Sequence, residues 1–141
     1  MANTYSTEAQ LLQNTPRQMP NGSYSGGRVR RFRNTITLAA QADTDTITCQ
    51  PIPAGHVFCF GMLLASATLG ASATIAIGIS GTAAKFRAAA THTVTTPTLF
   101  GLSTAADDDF LTATETPIIT VGTAALPGSG TLVCDFYYSG Q

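Results

Sequence analysis

From residue 28 onward, apolar and polar positions follow the two-residue period of half-buried strands. Between Arg28 and Leu38, Phe32, Ile36 and Leu38 fall on one side, and Arg31, Arg33, Thr35 and Thr37 on the other. The turn residues Ala42-Asp43-Thr44-Asp45 then precede a second short strand, Thr46 to Cys49. Pro51 and Pro53 forbid regular ladder pairing, and Gly55 offers a tight turn before a strand that begins at His56. That strand, through Ala65, is apolar on both faces, which suits the middle of the fold or a subunit contact. Thr74 to Ile79 places three isoleucines on one face and small residues on the other, so its small face can lie close against a neighbour.

The pattern then weakens. Ala83 to Ala90 is compatible with two helical turns or with an extended path. Thr91 to Thr95 alternates like a short strand and leads into a long irregular loop through Pro97, Gly101 and Asp107-Asp108-Asp109. Two last strands, Pro117 to Val121 and Thr131 to Tyr138, flank the turn-rich segment from Ala125 to Gly130. About seven or eight short strands separated by turn signals predict an all-β fold, an antiparallel β-sandwich or jelly-roll-like single domain over residues 27–141.

Residues 1–26 differ in kind. They are rich in Asn, Gln, Pro, Gly and Ser, a composition that builds no core of its own, and they predict an extended N-terminal arm, disordered in a free subunit. The spacing of Thr7 and Gln10 suggests a capping box ahead of Leu11 and Leu12, with Pro16 closing a short helical turn. Such an arm is either a plain tail or a segment that orders along a neighbour through Leu11, Leu12 and Met19.

Composition sharpens this picture. Only 11% of the 141 residues are charged, where a soluble monomer of this size usually carries about a quarter. Part of the outer face is therefore expected to meet protein. No run of about 18 apolar residues occurs, which excludes a membrane-spanning helix, and the first ten residues lack the pattern of a secretory signal. The net charge of -1 and pI near 6.0 give no bulk drive toward nucleic acid, which is disfavoured as a partner. Cys49, Cys59 and Cys134 match neither a redox pair nor a zinc site, and are expected as small packed hydrophobes in a reduced protein.

No convincing catalytic constellation is present. Nucleophile-elbow, Walker, zincin and EF-hand patterns are absent, and His56 and His92 have no carboxylate beside them in sequence. No catalytic residue, cofactor or metal is expected, and the chain is not expected to be an enzyme. Two charge clusters remain. Arg28, Arg30, Arg31 and Arg33 carry four of the seven positive charges, and Asp107, Asp108 and Asp109 form the densest negative run. Each is either a solvated surface or half of a salt-bridged subunit contact that fixes register more than affinity. With Leu11 and Leu12, these are the candidate interface residues. The run from Phe136 to Tyr138 is expected in core or edge packing rather than in a sugar platform.

The order of the Arg28 to Leu38 strand, Thr46-Ile47-Thr48, Ile52-Pro53-Ala54-Gly55, the stretch Leu69 to Gly78, Lys85-Phe86-Arg87-Ala88-Ala89, and the closing Gly130-Thr131-Leu132-Val133 with Phe136-Tyr137-Tyr138 resembles small virion proteins of tailed bacteriophages and prophages, some of them capsid decoration (cement) proteins. The resemblance covers about residues 28 to 139, and its motifs are compositional. It implies a virion structural protein assembled in the host cytoplasm. It further implies a homo-oligomer, a trimer or other ring, that stabilises the head lattice by binding the major capsid protein or another virion protein through its arm and its Thr-rich edges. The long polar arm departs from compact decoration proteins and leaves open a neck, tail or fibre-base component. A receptor- or glycan-binding module is the other alternative.

Overall fold

A computed structural model describes residues 4–20, 26–106 and 109–140. The arm holds one helix, α1 (Thr7–Gln13). Its cap is Ser6, whose hydroxyl accepts the Ala9 N–H at 3.3 Å. The expected box on Thr7 and Gln10 is therefore displaced by one residue. Ser6 is at least as good a cap as Thr7 and adds a residue to a short helix, but the third position after it is Ala9, which cannot return the bond.

Eight strands follow: β1 (Arg28–Thr37), β2 (Thr46–Thr48), β3 (His56–Ala65), β4 (Thr74–Ile79), β5 (Thr82–Thr91), β6 (Thr98–Phe100), β7 (Ile118–Gly122) and β8 (Thr131–Gly140). They form two four-stranded antiparallel sheets, ordered β1-β8-β3-β6 and β2-β7-β4-β5. Only β4 and β5 are consecutive partners within a sheet; the chain otherwise passes from one sheet to the other.

One core lies between the sheets. Strand β8 sends Leu132, Cys134, Phe136 and Tyr138 inward, β4 sends Ile75 and Ile77, and β7 sends Ile119 and Val121. Phe86 of β5 crosses the gap, its ring 4.9 Å from Phe58 of β3 and 5.5 Å from Phe136 of β8. Such tilted and edge-on contacts add to the area that these rings remove from water. They also decide the Ala-rich segment, which is strand: an anchored Phe86 and the β4 ladder outweigh the helix preference of its alanines.

Two glycines allow close approach. Gly61 of β3 faces Phe100 of β6, and a Cβ there would lie 2.0 Å from the ring. At Gly78 a Cβ would meet the Thr82 carbonyl oxygen at 2.0 Å, so the small face of β4 lies against the returning backbone of β5.

Three sequence expectations fail locally. Residues 92–97 form no strand: β5 ends at Thr91, His92 is buried, and Val94 is exposed with no sheet neighbour to pair it. The loop expected beyond Pro97 instead contributes β6, which pairs through Phe100, Leu99 and Thr98 with Gly61, Met62 and Leu63. All three cysteines are free thiols; Cys49 and Cys134 are core residues, but Cys59 is exposed and so is not the packed hydrophobe expected.

Candidate interaction surface

The side chains with catalytic potential serve packing. His56 sets Nδ1 3.1 Å from the Pro53 carbonyl and turns its ring edge to Phe32 at 5.8 Å. His92 is buried, and both burial and the nearby Arg87 cation hold its imidazole below its ordinary range. Glu115 pairs with Lys85 at 2.5 Å, both side chains keeping some contact with solvent. Burial pushes the Cys49 thiol up to about 11 and raises that of Cys134 well above its usual range, so both stay protonated and inert. Among the described residues, no group of three or more His, Cys, Asp or Glu side chains is placed to hold a metal ion. No helix among them is long and apolar enough to cross a membrane.

The predicted arginine cluster is divided by the strand period. Arg33 grips Asp135 of β8 with three bonds, Nε to Oδ1 at 3.0 Å and to Oδ2 at 3.3 Å, and Nη2 to Oδ2 at 2.9 Å. The carboxylate is fully buried while 46% of the Arg33 side chain meets solvent. This hydrogen bond and the carboxylate charge raise the guanidinium pKa further. Arg33 is thus committed within its own chain. Arg28, Arg30 and Arg31 are exposed on the same strand. Asp107 and Asp108 lie outside the described residues; Asp109 is exposed. Two residues on, Leu111 donates its N–H to the His56 carbonyl, and His56 pairs with Gly140, the strand partner of Arg28. Asp109 and the start of the basic strand therefore come to the same end of one sandwich. Leu11 and Leu12 are half-buried on α1 but belong to neither the core nor the apolar side chains packed against it.

The outer face of the first sheet carries apolar side chains on β3 and β6, bordered by Arg31 and the Arg33–Asp135 pair. The pairing of β3 with β8 slips between Phe58 and Phe60, which leaves Cys59 as a bulge. Phe58 therefore faces the core beside Tyr138, while Phe60 turns outward and stacks on Tyr137 with ring centroids 4.6 Å apart. Met62 and Leu64 follow on the outer face, next to Leu99 of β6 and Val133 of β8. Leu99 is 67% exposed and Phe60 39%. A shallow hollow of about 370 Å³ opens between Cys59, Phe60, Leu99 and Leu102, and another of about 340 Å³ beside Leu64, Thr95 and Val133. The sequence carried the signal in the two-sided apolarity of β3, but not the slip that decides which side is which. The outer face of the second sheet is different, with Thr46 and Thr48 of β2, Thr120 of β7 and Thr74 of β4 along it.

The sheet edges are guarded. Strands β2 and β6 are only three residues long. The long edge strand β1 bears its arginines, and β5 breaks register twice against β4. There the Arg87 guanidinium donates to the carbonyls of Ile75 on β4 and of Ala90 and Thr91 on β5, bridging the two strands where their register breaks. Charges and bulges of this kind discourage edge pairing. The exposed apolar side chains of the first sheet lie on its face, at Phe60 and Leu99, rather than along the expected edges.

No family model matches the chain. No curated protein matches it in sequence. Solved structures do match in shape. A chain in the capsid of Ralstonia phage GP4 superposes with a TM-score of 0.66 at 21% identity, covering 82% of this chain and 86% of that one. A chain in the cyanophage Pam1 capsid asymmetric unit gives a TM-score of 0.65 at 19% identity, with 100% of both chains covered. The two-sheet sandwich is thus a fold that chains of two bacteriophage capsids share.

Proposed function

We propose that this protein is a structural subunit of a bacteriophage virion, a capsid decoration or cement protein that self-associates and stabilises the head lattice. One observation carries the reading: a likeness that runs the full length of both chains leads to a capsid. The exposed apolar face and a charge content of 11% agree with it, because both leave surface suited to protein contact. The strand order, 1-8-3-6 facing 2-7-4-5, supports an eight-stranded jelly roll. The mechanism is holding rather than reacting. A subunit that binds only the assembled shell stabilises that state by RT ln(1 + [L]/Kd), and repetition by symmetry multiplies weak contacts into avidity.

The test is co-sedimentation of the purified protein with mature heads that lack it, followed by thermal disruption of those heads. Saturable binding and a higher disruption temperature are expected. A strictly monomeric protein that neither binds heads nor shifts their disruption would refute the proposal.

A further inference from the structure

Residues 66–73 carry the chain from β3 in the first sheet to β4 in the second. This crossover is tied at Ser66, whose N–H donates to the Thr131 carbonyl, and at Leu69, whose N–H donates to the carbonyl of His92. Leu69 and Ala73 enter the core. His92, one residue past the end of β5, is 3% exposed, and its Nε2 is buried with no hydrogen-bond partner among the described residues. A second proton on the ring would make Nε2 a donor whichever nitrogen carried the first, and a buried donor without an acceptor is costly. The charge would also meet a like neighbour. Arg87 donates to the Ile75 carbonyl of β4 and to the carbonyls of Ala90 and Thr91, the last at 3.0 Å and one peptide from His92. So held, the guanidinium cannot turn away without releasing the bridge between β4 and β5.

We propose that His92 is an acid-sensitive latch: on taking up a proton it releases the crossover 66–73 and the end of β5, while the rest of both sheets stays folded. Ionisable neighbours that could absorb the charge are few. The crossover, β4 and residues 93–97 carry none in their sequences. Strand β5 brings Arg87, its other cation, Lys85, being paired with Glu115, and beyond Arg87 stands the protonated Cys134 thiol of β8. Among the described residues, no carboxylate acts on the imidazole to offset a second cation beside it. The opening is local because the latch sits at a margin. Strand β5 lies at the edge of its sheet and breaks register twice against β4, so the pairs Thr74 with Thr91 and Ile75 with Ala90 are the ones given up with the Leu69 bond. Strand β8, by contrast, is paired along its length on both sides.

Hydrogen exchange of the full chain, read by mass spectrometry from about pH 7.5 to about pH 5 and corrected for the intrinsic rate at each pH, tests this. Peptides covering residues 66–73 and 88–92 should lose protection by about tenfold per pH unit below the ordinary histidine value of 6.5, until the folded ring itself titrates. Strands β1 and β8 should keep theirs. His92→Gln, which cannot take up the proton, should abolish the pH response of both peptides; the parent's own profile is a sufficient test where that variant fails to fold. Protection lost evenly across the sandwich, or unchanged over this range, would overturn the inference. An acid response that persists in His92→Gln would overturn it too, as would one centred on residues 53–56 and 111, which would assign the response to His56.

Discussion

Replacing Gly61 with alanine puts the packing of the first sheet to a direct test. The added methyl would lie 2.0, 2.2 and 2.6 Å from three atoms of the Phe100 ring, where ordinary contact begins at 3.4 Å. The ring must therefore retreat by more than an ångström. It is 8% exposed and meets Phe136 edge-on at 5.6 Å, so retreat opens the core beneath it. Strand β6 is the element that yields, since only three residue pairs tie it to β3. Overpacking of this kind costs about 1–3 kcal/mol. Alanine's smaller unfolded-state entropy offsets roughly 0.5–1 kcal/mol of that. A net loss of about 1–1.5 kcal/mol, the middle of those ranges, corresponds to a drop in Tm of roughly 3–6 °C for a chain of this length. Differential scanning calorimetry reads it, and a double-mutant cycle with Phe100→Ala identifies its origin. With the ring removed, at a cost of about 3–5 kcal/mol on its own, Gly61→Ala should be neutral or slightly stabilising. Two costs that simply add, or a Gly61→Ala protein melting within about 1 °C of the parent, would refute the reasoning.

Three further outcomes follow from single residues. Native protein should react with one equivalent of a small thiol reagent, at Cys59, and with three after denaturation, because Cys49 and Cys134 are buried with thiols pushed upward; two or more fast thiols in the native state would contradict this. His92 has a folded-state pKa below its ordinary 6.5, so the unfolded chain takes up its proton first. The stability this contributes is complete above pH 6.5 and is lost as pH falls toward the lower folded value; urea midpoints from pH 7.5 to 5 should decline, and His92→Gln should flatten the decline. Arg33→Met leaves the buried Asp135 carboxylate without its cation and should lower the urea midpoint, and Asp135→Asn in the same chain should recover part of the loss; full additivity of the two changes would show that the pair is not coupled.

Legibility in the sequence followed the range of the forces involved. Strands β1, β4 and β8 were evident because their period-two alternation is local, as Phe32 and Ile36 show on β1 and Ile75 and Ile77 on β4. The Ala-rich β5 was not resolved, since its extended path depends on Phe86 reaching Phe58 and Phe136 in the opposite sheet. Thr91 to Thr95 had the pattern of a strand but no partner, and pattern alone cannot supply one. The helix cap shifted to Ser6 because adjacent hydroxyl residues are equally legible as caps. The candidate surface is the hardest case. Arg33 looked like a surface charge, but its partner Asp135 is 102 residues away and fully buried. The apolarity of β3 was plain, yet the bulge at Cys59 that turns Phe60 outward arises from its register with β8.

The protected rims of the two sheets carry a kinetic consequence. Newly folded molecules that meet in a crowded cell cannot zip together along their open ladders, because β1 presents like charges and β5 breaks register twice. High copy number is thereby compatible with staying out of fibrils. What the molecule leaves bare is the broad side of the sandwich, where any fit must be made by shape.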